Sequence, residues 1–153
     1  MKHTDILITD FTNPYFQSAF RSYYADMGER VNNWVRCFEN MNKDGDNLAY
    51  IRLSEENEAI GFIQFKIICL KNWFFEERLG FIREFWVDSN YRRKGHGSEL
   101  LAITENYFLS KKVYKAILTT DTAEVFYINK GYEKDSSIIA DNQMDVFVKQ
   151  LRV

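Results

Sequence analysis

With 153 residues, 46% of them hydrophobic, the chain is long enough to bury one core, and a single domain over residues 1–153 is the expectation. A formal charge of −2 offers no general attraction to nucleic acid, no apolar run approaches the ~20 residues of a membrane span, and Cys37 and Cys69, far apart in sequence, read as free or buried thiols rather than a disulfide or metal pair. The N-terminal Met1-Lys2-His3-Thr4-Asp5 lacks a secretory apolar stretch, so cytoplasm is the expected location.

Ile6-Leu7-Ile8-Thr9 is a short apolar run that reads as an edge strand. Asn13-Pro14 then opens a helix, with Asn as cap and Pro at the first helical position. Tyr15, Phe16, Ala19, Phe20, Tyr23, Tyr24 and Met27 form one apolar stripe along it, and Gly28 is placed to end it. A second helix is expected from Glu29 to Met41, with Val31, Trp34, Val35, Phe38 and Met41 on one face. Core packing accounts for these aromatics, while Tyr23, Tyr24 or Trp34 could also line a substrate cleft. The segment from Asn40 through Asn42, Asp44 and Gly45 imitates the first half of a calcium loop, but the glutamate such a loop needs at its twelfth position is Ile51, so a solvated turn is expected.

Leu48 to Leu53 and Ala59 to Leu70 read as an antiparallel hairpin around the polar turn of residues 54–58, with Gly61 marking a bulge or a close packing contact. The connector Lys71 to Arg78 carries three consecutive aromatics, Trp73, Phe74 and Phe75, where a polar turn would be usual. Burial by folding back on the sheet edge, or in the subunit contact of a homodimer, is the expectation, and a substrate wall is a further use. Leu79 to Val87 is a strand packed on both faces, and Leu100, Leu101, Thr104, Tyr107 and Phe108 mark an amphipathic helix. Tyr114 to Thr120 reads as a strand parallel to the one ending at Val87, which makes a crossover unit with both strand ends on one side. A short helix over about 122–130 ends at Gly131, and residues 136–140 with 144–151 are expected to close the chain as a strand pair.

Between the strand ending at Val87 and the helix lies Arg92-Arg93-Lys94-Gly95-His96-Gly97-Ser98. A loop ending at a helix N-terminus offers unpaired backbone N–H groups and the positive end of the helix dipole to a phosphate. Gly95 and Gly97 allow positive φ and close approach of a ligand, and three cations reinforce the preference. A Walker loop is excluded by its spacing, and the dinucleotide fingerprint by Leu100 at the place of its third glycine. What remains, Arg92-x-x-Gly95-x-Gly97 after a strand, resembles the acetyl-CoA pyrophosphate loop of the GNAT superfamily of N-acetyltransferases. A second block, Phe126-Tyr127-Ile128-Asn129-Lys130-Gly131-Tyr132, is similar to that family's Phe-Tyr-x-x-x-Gly-Phe/Tyr segment, in the family's order and spacing.

The resemblance implies a mixed α+β fold: a central, mostly antiparallel sheet of six to seven strands, a splayed parallel pair ending at Val87 and Thr120, and helices on both faces. It also implies acetyl-CoA as co-substrate, an amine-bearing acceptor and no metal. Acetyl transfer to an amine needs a base for the ammonium, a stabiliser for the oxyanion and an acid for the departing thiolate. Glu84 is the candidate base, acting through water as strand glutamates of the family do, with an ion pair to Arg83 or Lys66 as its structural alternative. Tyr127 is the candidate acid, and Phe126 a core aromatic beside the cofactor. The backbone of Phe85, Trp86 and Val87 would hold the thioester and pantetheine arm, and the loop from Arg92 to Ser98 the pyrophosphate. His96 is expected to offer its backbone N–H, its ring pointing to solvent, while His3 shows no partner in the sequence. Where the family has an asparagine seven residues before the tyrosine, this chain has Thr120. Against the enzyme stand a non-catalytic acyl-CoA sensor and, more remotely, nucleic-acid binding through Arg92-Arg93-Lys94.

Overall fold

In the computed structural model, which describes residues 2–152, Asp5 stands directly across from Arg52, and this charged pair draws the first strand well beyond its apolar run. Strand β1 covers His3–Ile8 and pairs antiparallel with β2, Asn47–Ser54, along its whole length. Between them come α1, Pro14–Asp26, and α2, Trp34–Lys43. The expected cap holds: Asn13 Oδ1 accepts from the amides of Tyr15 and Phe16 at 2.9 and 3.1 Å. The second helix starts five residues later than its apolar pattern suggests, because Asn33 caps it by accepting from the Arg36 amide, which leaves residues 29–33 outside it.

Strand β3, Ala59–Lys71, follows a tight turn in which Asn57 has a φ of 62°. Strand β4, Glu76–Val87, is followed by a 3-10 turn, Ser89–Tyr91, then α3, His96–Ser110, β5, Lys115–Thr120, α4, Glu124–Asn129, β6, Glu133–Lys134, and β7, Asp145–Gln150. The strands hydrogen-bond in the order β1-β2-β3-β4-β5-β7-β6, all antiparallel except β4 beside β5. This is the mixed α+β architecture expected. No helix among the described residues is long and apolar enough to cross a membrane.

Two compact units can be distinguished, and β3, β4 and α3 each run through both. The first contains residues up to Phe65 together with Glu84–Ala102. Its core is aromatic: Phe16, Phe20, Phe38 and Phe62 are fully buried, with Tyr23, Tyr24 and Trp34 packed half-buried against them. Each fully buried ring of this kind stabilises by roughly 1.5–3 kcal/mol. Alternation along β2 sends Ala49, Ile51 and Leu53 into this core under α1 and α2, and sends Arg52 to the opposite face, where it meets the start of α3. Gly61 is required by close approach, since a Cβ there would lie 2.5 Å from the Trp86 carbonyl oxygen.

The second unit is Lys66–Arg83 with Ile103 onward. Here β4 runs parallel to β5, Gly80 opposite Ala116 and Phe81 opposite Ile117, and β7 pairs with β5 over six residues. Residues 136–140 do not form the strand their apolar content suggested. Asp135 turns the chain instead, its carboxylate accepting from the amide and hydroxyl of Ser137, and β6 is the dipeptide before it. The aromatic connector is a hairpin tip held by Asn72, whose Oδ1 accepts from the amides of Phe74 and Phe75 at 2.8 Å. Trp73 is 97% exposed and Phe74 86%, so the expected folding back on the sheet does not occur.

Candidate functional site

In the first unit, β4 ends at Val87, Asp88 caps the short 3-10 turn through the Asn90 amide, and the chain then enters the loop 92–95. Gly95 lies at φ 87° with nothing within 4 Å of where a Cβ would be, and Arg93 before it is also left-handed, at 63°. Gly97 does not share this conformation: it belongs to the first turn of α3, so the absence of a side chain is what it contributes. The first helical bond runs from the Glu99 amide to the Gly95 carbonyl. The amides of His96, Gly97 and Ser98 come before it and have no acceptor within the helix. Arg93 and Lys94 are exposed, Lys94 lying over the Tyr91 ring. Arg92 turns back, donating from Nε to the Val87 carbonyl at 2.9 Å with Asp26 3.9 Å from its guanidinium. The loop fits a diphosphate: open backbone donors, room above a glycine and two outward cations.

What fixes this helix start from behind is Arg52, only 2% exposed. It donates to both Asp5 oxygens at 2.7 and 2.9 Å, to Glu99 at 2.6 Å and to His96 Nδ1 at 3.0 Å. The His96 ring is therefore buried, edge-on to His3 and Tyr91, rather than in solvent as expected. His3 likewise has neighbours, Asp5 at 3.9 Å and Glu99 at 4.0 Å. Burial, together with the facing Arg52 and His3, pushes the His96 pKa down and keeps the ring neutral. Hydrogen bonding to Arg52 holds the Glu99 carboxyl below its usual range. His3, His96 and Glu99 bring possible ligand atoms within 4.8 Å of one another. Arginine can only donate, however, so Nδ1 of His96 accepts and Nε2 carries the proton, which leaves no lone pair for a cation. The group is a hydrogen-bonded brace.

Along β4, Glu84 and Trp86 face α1, as alternation requires. Tyr23 donates its phenol to Glu84 Oε2, and Trp86 Nε1 donates to Asp26 at 2.9 Å. Burial and then the Glu84 charge push the Tyr24 phenol pKa up, so it stays protonated beside the carboxylate. Glu84 thus sits half-buried with two tyrosines from α1 about it. Phe85 and Val87 are half-buried on the other face.

In the second unit, Thr120 ends β5 and its Oγ1 accepts from the Ala123 amide at 3.0 Å, closing the turn into α4. Tyr127 on α4 is 6% exposed, its ring edge-on to Phe126 and Tyr132. Phe126 is half-buried under Lys130. Tyr132 donates to Glu105 at 2.8 Å, and Glu105 also takes Lys149 at 2.9 Å. Burial and that carboxylate push the Tyr132 phenol pKa far up, so it stays protonated against Glu105.

The sequence did not disclose Arg52, Asp5 and Glu99 as supports of the loop, nor Asp26 as the anchor of Trp86 and Arg92. One signal was present: a charge inside the apolar run Leu48 to Leu53 must find a partner if buried. Its partners, on β1 and α3, follow only from register.

Residues 4–129 match the family described as the acetyltransferase (GNAT) family. No curated protein matches the chain. Among solved structures, it is similar to an acetyltransferase of the GNAT family from Staphylococcus aureus, with 14% identity over 99% of this chain and 100% of that one and a TM-score of 0.73. It is also similar to Arabidopsis thaliana NAA60 in complex with acetyl-CoA, with 17% identity over 97% and 98% and a TM-score of 0.72. A third likeness is to glucosamine-6-phosphate N-acetyltransferase from Arabidopsis thaliana, with 18% identity over 92% and 98% and a TM-score of 0.70. At these identities the likeness is one of fold.

Proposed function

The chain belongs to the GNAT family of acetyltransferases, and from that premise we propose that it transfers an acetyl group from acetyl-CoA directly to a primary amine. The observation that carries the proposal is the start of α3, where amides 96–98 precede the first helical bond and Arg52 holds the helix without using them. The diphosphate of acetyl-CoA would lie on those amides and on Arg93 and Lys94, with the backbone of Phe85 to Val87 along the pantetheine arm.

Glu84 is proposed as the base. Its Oε2 is held by Tyr23, which orients the carboxylate and leaves the other oxygen to accept a proton, directly or through water. Tyr127 is proposed as the acid for the departing thiolate, its partner Tyr132 being engaged with Glu105. The balance is simple: the C–S bond breaks, a C–N bond forms, the amine proton goes to Glu84, and the sulfur leaves as a thiol. Incubation with acetyl-CoA and a panel of amines should release free thiol, and Glu84→Gln and Tyr127→Phe should each slow release about a hundredfold. No thiol from any amine, with no acetyl-CoA binding by calorimetry, overturns the proposal. An acyl-CoA sensor is the second reading, favoured by Thr120, which stands where the family has an asparagine that contacts the cofactor and whose hydroxyl oxygen here accepts from the Ala123 amide. Tight acetyl-CoA binding without turnover, unaffected by Tyr127→Phe, would select it.

A further inference from the structure

In the first unit, Gln64 on β3 is 2% exposed, and among the described residues its Nε2 meets no acceptor. An amide buried in that state costs free energy, and a methionine of similar length would fill the space without that cost. A polar side chain kept under those conditions calls for a use outside the packing.

The place of Gln64 follows from the strands. The Asp88 amide donates to the Ile60 carbonyl at 2.8 Å, which sets β3 against β4. Two residues in from that pair, Phe62 lies beside Trp86, their ring centres 6.1 Å apart. Two further in, Gln64 comes beside Glu84. Alternation holds on both strands here. Phe62 packs on Phe16 and Phe20 of α1, whereas Phe65 stacks on Tyr50, two residues before Arg52 on the opposite face. Glu84 and Trp86 both bond residues of α1. Gln64 and Glu84 therefore face α1 from adjacent strands, and cross-strand neighbours of this kind have Cβ atoms about 4.5–5.5 Å apart.

Tyr23 ties the two pairs together. Its ring is edge-on to Phe62 at 5.6 Å, and its phenol holds Glu84 Oε2. The Gln64 amide, not itself bonded to Glu84, thus stands beside a carboxylate with one oxygen left to use. A group that serves both must accept from Nε2 and donate to the carboxylate. An ammonium has no lone pair with which to accept, and a side chain buried as Gln64 is admits nothing large. Water does both. We infer that Gln64 is a positioning residue, whose amide holds the water through which Glu84 takes the proton of the acceptor amine. This rests on the acetyl-transfer reading above. The ammonium gives one proton to the water and the water gives one to Glu84, so the water is restored, the carboxylate becomes a carboxylic acid, and the amine gains the lone pair that forms the C–N bond. A fixed water needs two to four polar partners: Gln64, Glu84 and the incoming amine make three.

The test joins a crystal structure of the full chain to the kinetics of Gln64→Met, which keeps the side chain's length and removes its amide. In the crystal an ordered water should lie about 2.7–3.2 Å from both Gln64 Nε2 and a Glu84 oxygen. With acetyl-CoA and a reactive amine, Gln64→Met should lose about tenfold in kcat while the KM for acetyl-CoA holds. Its melting temperature should hold or rise, because a residue that only supported the fold would lower it. A Gln64 amide bonded directly to a protein atom, or no water at that place, overturns the inference. So does an unchanged kcat in Gln64→Met, or a loss of rate that follows a fall in melting temperature. A bridging water that Gln64→Met expels, in a chain that releases thiol with no amine, upholds the link from Gln64 to Glu84 and removes the acetyl-transfer reading.

Discussion

Two helices in this molecule follow the parallel strands, and their starts are built differently. At α4 the chain is turned in by Thr120, which accepts from the amide of Ala123 ahead of the helix; no side chain caps the helix itself, and it lasts six residues. At α3 the side chains act from behind. Arg52 grips Glu99 and His96 in the first turn, Gly95 opens the chain, and the leading amides are left over through a helix of 15 residues. An anion site needs the second arrangement, because leading amides hold a phosphate only where there is room to approach them, and Gly95 gives α3 that room with Arg93 and Lys94 beside it. That difference is why the diphosphate is proposed at α3 rather than at the six-residue α4.

The largest expected break of that contrast is Arg52→Met. It leaves Asp5, Glu99 and His96 without their common donor and should cost about 3 kcal/mol, the low end of losses from a broken buried pair because Asp5 and Glu99 keep access to water. Chemical denaturation measures it, and a loss below that of an ordinary surface change would show that the brace is ornamental. Next comes Gly97→Val, which puts a branched side chain on the first turn of α3 and should weaken acetyl-CoA about tenfold, with the melting temperature nearly unchanged. Calorimetry beside a thermal melt separates the two, and full affinity would move the phosphate elsewhere.

Acid should sharpen the contrast. Burial, with Arg52, His3 and Lys94 facing it, depresses His96 in the folded state, while Glu99 pulls the other way and Asp5 neutralises Arg52. The unfolded chain therefore takes up this proton first, so the stability His96 contributes is whole above its unfolded value of 6.5 and is lost as the pH falls from there through the lowered folded value. Denaturation at about pH 7.5 and about pH 5.5 should show the loss in the native chain and a flatter response in His96→Gln. The smallest effect belongs to α4: Thr120→Ala removes the hydroxyl that accepts from the Ala123 amide in the turn before the helix and should cost about 0.5–1 kcal/mol in a thermal melt. A larger cost would mean that the two helix starts are less different than their geometry suggests.

The elements that sequence disclosed were those coded locally. Asn13-Pro14 marked the first helix because cap and ring act on adjacent amides, and the crossover unit followed from an apolar strand, a glycine loop and an amphipathic stripe in succession. The loop's glycines were legible as a pattern, but not their separate roles, since φ at Gly97 depends on where α3 begins. The second helix was placed too early because apolar spacing cannot tell that Asn33 would cap it. The strand expected after Ser136 failed for a similar reason: Asp135 offers the local amides an alternative to a ladder. His96 was misplaced because its burial is decided by Arg52, 44 residues earlier in the chain. The Tyr23–Glu84 contact spans 61 residues and is equally silent in sequence, although Tyr23 had been named as a possible cleft residue.

The hairpin tip held out by Asn72 makes the chain's light emission separable. Of its three tryptophans, Trp73 stands in water, while Trp34 and Trp86 sit within the aromatic core of the first unit. Iodide should quench the first and spare the others. A Trp73→Phe protein would then report on Trp34 and Trp86 together, both within the first unit, and its unfolding could be followed by fluorescence without a label.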